Sequence, residues 1–484
     1  MRGVAEVVME SPYRYLFPFE RIPYGAKIVI YGAGVLGQEY LQQLHITQYC
    51  QVVAMIDRNA EKYHGTVINV YKPCYLRELE FDYVVVALRV SIALNEVLRV
   101  LHAEGVSEDR IVYVLERDVQ NFSLFREQSV SGISPRDLSY VRFGKSCSLA
   151  VMMLGGLGDL VVQKKFVLEI VKKFPPIHID VYSVGKISFL RELYSDCQVV
   201  ENIIDDLGFR YKQEWNNYAA CMTINGTSFI SVDYLDERKL CGELNTLQDL
   251  MYQLRQYAQA EALSLTIPAV VSFLRSMKRG LNCYTVFSCG GLFDIKDKVV
   301  NVPLQHVYKE QFKNLDLNRY VTVNIGNGDC ADIKKVSKTW PNNCYERLLV
   351  LFKTQYPDID IIQLGDASAR PLDNADLHIL GQPLGLVEHI LANAILHVDI
   401  EGGLVHLATQ LGTKCAVLFG PTPMEYYGYE QNINISAGNC HGCYGCYVDV
   451  NRCARGLAEP ECMLAITPEL VMSEIAGYMS SLCD

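Results

Sequence analysis

The sequence predicts an α/β protein in which a unit of strand, glycine turn and helix recurs three times along the chain. Residues 27–31, KIVIY, run into GAGVLG and then into the helical pattern QEYLQQL. Residues 148–154 run into GGLGD and an apolar helix expected over about 160–174. Residues 395–399 run into Glu401-Gly402-Gly403, and Leu404, Leu407, Ala408 and Leu411 follow at helical spacing up to Gly412 and a further strand, 415–419. A short apolar run closed by glycine and followed at once by period-3.6 apolar residues is how a buried parallel strand feeds a helix across a tight turn.

Composition sets the frame. At 484 residues, half of them hydrophobic, the chain has material for about three domains with full cores. The net charge of −11, the pI near 5.5 and the lack of a long Lys/Arg cluster argue against nucleic acid and against a polybasic membrane anchor. The first 19 residues carry Glu6 and Glu10 and have no uninterrupted apolar core, so they do not read as a signal peptide. No run reaches the roughly 18 apolar residues of a membrane helix, and a cytoplasmic, soluble protein, with room for homo-oligomer formation, is expected. The 17 cysteines are then expected to be mostly thiols.

In the first unit the strand at 27–31, Gly32, Gly34 and Gly37, the helix, a second strand QVVAMID and Asp57 at its end form the full context of a dinucleotide-binding fingerprint. The glycines admit a pyrophosphate, and Asp57 is a candidate acceptor for a ribose hydroxyl. A strand at 82–88 continues the doubly wound pattern. The region resembles the small Rossmann modules attached to sugar-modifying and polysaccharide-biosynthesis enzymes, which implies NAD(P) or another nucleotide as ligand; a degenerate scaffold is the competing reading. Within this module no Tyr-x-x-x-Lys pair is present to carry hydride transfer. The module is assigned to 1–130 and a turn-rich linker containing SGISPRD to 131–145.

Residues 146–315 are read as a second α/β unit, with strands HIDVYSV, SFISVDYL and NCYTVFS after the first. Asp159 closes its glycine turn, where a side chain faces a cleft; Asp233, Glu237 and Arg238 read as surface charges. Residues 316–484 form the third unit. It opens on YVTVNI, passes through KTWP with Lys338 to a helix at 343–353, then to a strand ending at Gly365 and a helix at 386–394 bearing Glu388. At 401–404 two glycines before a helix leave free N–H groups and the positive end of a dipole at the loop, an anion site with phosphate as the expected occupant. The tail crowds Cys440, Cys443, Cys446, Cys453 and Cys462 together. Two cysteines separated by two residues, with further thiolates nearby, suit tetrahedral iron or zinc equally; an iron–sulfur cluster and plain reduced thiols remain open.

Four motifs in order, GGLGD, KTWP, EGGLVHLA and the cysteine tail with its ITPELV ending, resemble family 9 glycosyltransferases, the ADP-heptose:lipopolysaccharide heptosyltransferases, and within them the autotransporter heptosyltransferases. The resemblance spans about 146–484 and implies a GT-B fold of two Rossmann-like halves, the acceptor half at 146–315 and the donor half at 316–484. It implies an inverting transfer of a sugar, a heptose by preference, from a nucleotide-diphosphate donor such as ADP-heptose to a hydroxyl of a protein or glycan. Asp159 would be the catalytic base and Lys338 the phosphate-neutralising cation. Glu401, Gly402, Gly403, Leu404 and His406 would hold the donor diphosphate, with Gly365 and Glu388 toward its nucleoside. The family usually has Asp-Thr-Gly where this chain has Glu401-Gly402-Gly403. The resemblance also implies one structural iron on Cys440, Cys443, Cys453 and Cys462, leaving Cys446 unplaced. An NAD(P)-dependent oxidoreductase and a non-catalytic sugar-nucleotide sensor are the alternatives.

Overall fold

The computed structural model describes residues 17–63, 68–88, 91–113, 149–174, 177–206, 208–240, 245–260, 269–326, 337–438, 440, 442–443, 453, 457 and 460–482. The expected linker at 131–145 and Cys446 lie outside them. The chain divides into two compact units, Met1–Val141 with Ser264–Gly280, and Arg142–Leu263 with Leu281–Asp484.

The first unit contains β1 (Lys27–Tyr31), α1 (Val35–Thr47), β2 (Gln51–Ile56), β3 (Val70–Tyr71), β4 (Tyr83–Val86), α2 (Ser91–Ala103) and β5 (Ile111–Tyr113). Its five strands are parallel, in the order β3-β2-β1-β4-β5. Runs such as Ile28-Val29-Ile30 and Val84-Val85-Val86 are buried throughout, as strands covered on both faces must be. Strand order reverses between β1 and β4, so the chain crosses from one side of β1 to the other and leaves a crevice at the carboxyl ends of these strands.

In the second unit β6 (Leu149–Leu154), α3 (Leu157–Lys173), β7 (Ile179–Ser183), α4 (Ile187–Leu193), β8 (Val200–Asp205), α5 (Phe209–Gln213), β9 (Ala220–Asn225), β10 (Phe229–Leu235), α6 (Glu237–Leu240) and α7 (Asn245–Ala260) build one sheet and its helices. The strand order is β10-β9-β6-β7-β8, parallel except for the β9–β10 hairpin, which turns through Gly226 at φ +55°. The chain then supplies α8 (Ala269–Lys278) to the first unit, where it packs on α1. The stretch NCYTVFS, expected as a strand, is instead a turn of 3₁₀ helix at Thr285–Gly291. Asn282 decides this: its side-chain oxygen accepts the backbone N–H groups of Tyr284 and Thr285 at 3.0 Å each, a local closure that outcompetes strand pairing.

After α9 (His306–Lys313), a wholly parallel six-stranded sheet follows: β11 (Tyr320–Asn324), α10 (Asn342–Gln355), β12 (Asp360–Gly365), β13 (Leu377–Leu380), α11 (Leu384–Asn393), β14 (His397–Ile400), α12 (Gly403–Gln410), β15 (Cys415–Leu418), α13 (Met424–Tyr427) and β16 (Ile433–Ile435). Its order, β13-β12-β11-β14-β15-β16, reverses between β11 and β14. The core beneath it gathers Val321, Trp340, Tyr345, Phe352, Val398, Leu418, Met463 and Ile475. Trp340 is fully buried and donates from its indole nitrogen to Ile466 O at 2.8 Å, so the KTWP motif is anchored to the segment leading into the C-terminal helix Pro468–Ser481. Truncating such a side chain costs about 3–5 kcal/mol.

Candidate functional site

Two strand-to-helix turns face each other in the second unit, one after β6 and one after β14, and α3 packs against α12. Glycine makes the approach possible. A Cβ on Gly158 would stand 2.4 Å from the His406 ring, and one on Gly403 would stand 2.9 Å from Leu157 Cβ. Gly155 has φ +134°, and the space a side chain would take there is filled by Asp159. Gly402 is in extended backbone that any residue adopts, so its role is only that of the residue before the helix.

Asp159 is the third residue of α3. Its Oδ2 accepts the Gly156 N–H at 2.7 Å, capping the helix, while Oδ1 lies 3.8 Å from where a Gly226 side chain would be. Burial raises its carboxyl above the usual range; the Gly156 N–H, His406 and Lys338 oppose the rise and Glu401 adds to it. The four side chains therefore share one electrostatic neighbourhood. Glu401 is 6% exposed. Burial acts to raise its pKa, but the Lys338 ammonium 3.5 Å from Oε2 and His406 3.7 Å from Oε1 overcome that and hold it at about 2. Lys338 also donates to the Glu401 carbonyl at 3.1 Å. The imidazole Nδ1 of His406 lies 2.6 Å from Tyr429 Oη, which lies 2.9 Å from Tyr284 Oη, and Gln410 donates to Tyr284 at 3.2 Å. Gln163 of α3, fully buried, donates to Leu154 O at 2.7 Å and Gly226 O at 2.9 Å, fixing the floor beside Asp159.

Asp159, Lys338, Glu401, Gly402, Gly403 and His406 are thus brought together, with Leu404 half-buried on the same first turn of α12. Two further expected donor residues, Gly365 and Glu388, lie at the end of β12 and on α11. Glu388 is 1% exposed on α11, its Oε2 has no hydrogen-bond partner among the described residues, and the charge that reaches it is that of Glu192 on α4. The face of Gly365 is filled by Ala369 Cβ at 2.8 Å and a Leu380 methyl at 3.2 Å from where its Cβ would be. Sequence reasoning passed over Gly158, Gln163, Tyr284 and Tyr429. Gly158 sits inside the GGLGD motif, and the pattern GYE after a Pro-rich loop was the only trace of Tyr429.

In the first unit a cavity of about 830 Å³ is lined by Gly32, Gly34, Val35, Asp57, Arg58, Tyr63 and Leu88 among others. Gly32 (φ +109°) would collide with Ala87 O, and Gly37 with Gly32 O, if either carried a side chain. Gly34 faces open space. Both carboxylate oxygens of Asp57 accept backbone N–H groups, Oδ2 from Ala33 at 2.9 Å and Oδ1 from Asn59 at 2.8 Å, so this residue shapes the turn as well as lining the cavity.

In the tail, Cys462 is 3% exposed and its thiol is pushed up to about 12, first by burial and then by Cys443, Cys440 and Cys453, whose charges all reach it. The four expected ligands therefore share one neighbourhood, and their chemistry suits a thiophilic metal. Among the described residues, however, no group of three or more His, Cys, Asp or Glu side chains is set to hold a metal ion.

Among the described residues the architecture is that of an α/β protein with three sheets of predominantly parallel strands, a glycine turn following β1, β6 and β14 beside each reversal of strand order. Residues 24–112 match the family described as C2185-like, N-terminal. No curated protein matches. Among solved structures, the chain is similar to ADP-heptose LPS heptosyltransferase II of E. coli (13% identity, 70% of this chain and 100% of that one, TM-score 0.44). It is also similar to a family 9 glycosyl transferase from Veillonella parvula (13%, 70% and 99%, 0.41) and to the iron-containing dodecameric glycosyltransferase TibC from enterotoxigenic E. coli (12%, 69% and 79%, 0.46). No described helix is long and apolar enough to cross a membrane.

Proposed function

We propose that the second unit is an inverting GT-B glycosyltransferase that moves a sugar, a heptose by preference, from a nucleotide-diphosphate donor such as ADP-heptose to a hydroxyl of a protein or glycan. The observation that carries this reading is the convergence of Asp159, Lys338, Glu401 and His406 on the two facing glycine turns. The acceptor oxygen attacks the anomeric carbon as the bond to the diphosphate breaks, and the acceptor proton passes to Asp159 Oδ1. A carboxyl raised by burial is better matched to that proton than an exposed one. The charge leaving on the diphosphate meets Lys338 and the free N–H groups at the start of α12. Glu401, held ionised, keeps the ammonium aimed at that turn and is itself too enclosed to serve as base.

Turnover of ADP-heptose and other nucleotide sugars to the free nucleoside diphosphate, without added NAD, tests the reading. Turnover that required NAD(P) would instead support the oxidoreductase alternative, and binding without turnover the sensor. For the first unit the proposed ligand is a nucleotide in the cavity beside Gly34. Because nothing lies within 4 Å of a Cβ on Gly34, Gly34→Asp should preserve the fold while blocking the anion, and calorimetry with NAD, NADP and nucleotide sugars reads the loss. For the tail the proposal is one iron or zinc ion drawing Cys440, Cys443, Cys453 and Cys462 together as a structural clip.

A further inference from the structure

Lys338 and Glu401 sit on loops, and a set of buried polar groups lies one layer below. β11 and β14 are the neighbours between which strand order reverses. Their backbone pairing covers Thr322 with His397 and Val323 with Val398. At the next position, Asn324 and Asp399 are 8% and 1% exposed, and side chains take over: Asn324 Nδ2 donates to Asp399 Oδ2 at 2.9 Å. Asp399 Oδ1 accepts the Ile400 N–H at 2.8 Å, and Asn324 Oδ1 accepts the Gly326 N–H at 3.2 Å. Below them His397, fully buried, has Nδ1 2.9 Å from the Thr322 hydroxyl and Nε2 3.4 Å from Asp399 Oδ2.

A carboxylate inside a hydrophobic sheet is expensive, and burial raises the pKa of Asp399 accordingly. Val398 and Ile400 show what the strand would otherwise hold. What the carboxylate does can be followed bond by bond. It ties the exit of β11 to the exit of β14 and fixes the Ile400 amide; the next residue offers the carbonyl that receives Lys338 Nζ.

We infer that Asp399 and Asn324 form a side-chain staple at the reversal point of the third sheet, positioning Lys338 and Glu401 for the diphosphate of the donor. Both are positioning residues, since neither is exposed enough to touch a ligand. The inference rests on the reading of this site as a diphosphate site.

The test compares the full-length chain with Asp399→Asn, Asn324→Asp and the exchanged pair Asn324→Asp/Asp399→Asn, in which the amide donates to the carboxylate from the opposite side. Each single variant should lower nucleotide-sugar turnover roughly 10- to 100-fold, because displacement of about 1 Å has that effect on a charged site. The acceptor KM should not move, and the exchanged pair should recover to within about threefold. In a Lys338→Ala background, Asp399→Asn should add no further loss, whereas a residue that merely supports the fold would add its own. Calorimetric binding of ADP and UDP to the same proteins is read alongside. If the wild-type chain binds ADP or UDP but turns over no nucleotide sugar, the transfer reading fails while binding still reports on the staple. Single variants equal to wild type in binding and turnover, or losses additive with Lys338→Ala, would overturn the inference.

Discussion

Glu388→Gln should make this protein more stable, and increasingly so as the pH rises. Glu388 is 1% exposed, its Oε2 is unpartnered among the described residues, and burial, with Glu192 adding to it, lifts its carboxyl from 4.5 to about 8. The sign follows from proton binding. Between these values the folded chain holds a proton that the unfolded chain has released, so stability falls as pH climbs from about 4.5 to about 8 and levels off above. Each pH unit in that window costs about 1.4 kcal/mol, which gives about 4 kcal/mol between pH 5 and pH 8. Glutamine keeps the shape and cannot ionise, so this slope should vanish. The assay is urea unfolding of wild type and Glu388→Gln at pH 5, 6.5 and 8, followed by a probe in the second unit. A stability difference independent of pH, or one largest at pH 5, would refute the reasoning.

Asp159→Asn should reduce transfer by roughly 10²–10⁴ while leaving donor binding nearly intact, because the amide keeps the Gly156 contact but takes no proton; rate and calorimetry together decide it. Lys338→Ala should weaken donor affinity and turnover alike, and an effect on acceptor KM alone would show that the ammonium does not face the diphosphate. Gly158→Ala places a methyl 2.4 Å from the His406 ring and should destabilise the second unit by about 1–3 kcal/mol, seen in its unfolding midpoint. Cys443→Ser should lose the metal that elemental analysis of the wild type is expected to find, together with thermal stability; a wild type free of iron and zinc would end the clip proposal.

The strands that carry the site were legible because each is a β-branched or apolar run stopped by glycine: 27–31, 149–154 and 397–400 appear within two residues of the expected bounds. Edge strands such as β3 and β16, two and three residues long, have too few residues for any period to show. NCYTVFS misled because β-propensity says nothing of an Asn side chain that can cap its own turn. Asp159, Lys338, Glu401 and His406 could be named from motifs, but their mutual approach depends on Gly158 and Gly403 being small enough for two helices to touch, which is a property of the fold and not of either segment. Glu388 could be named as a candidate partner for the donor nucleoside, but its burial and the nearby Glu192 charge could not be read from the sequence.

The excursion of α8 has a consequence for how the chain is made. α1 ends at Thr47, but the helix that covers it begins at Ala269, with Val271 and Phe273 buried in the finished fold. During synthesis the first sheet leaves the ribosome before α8 exists, and α1 waits for that partner until β6 to β10 and α7 have also been translated. The amino-terminal unit is therefore begun first and completed late, and a nascent chain stalled between residues 113 and 264 would lack the helix that packs on α1.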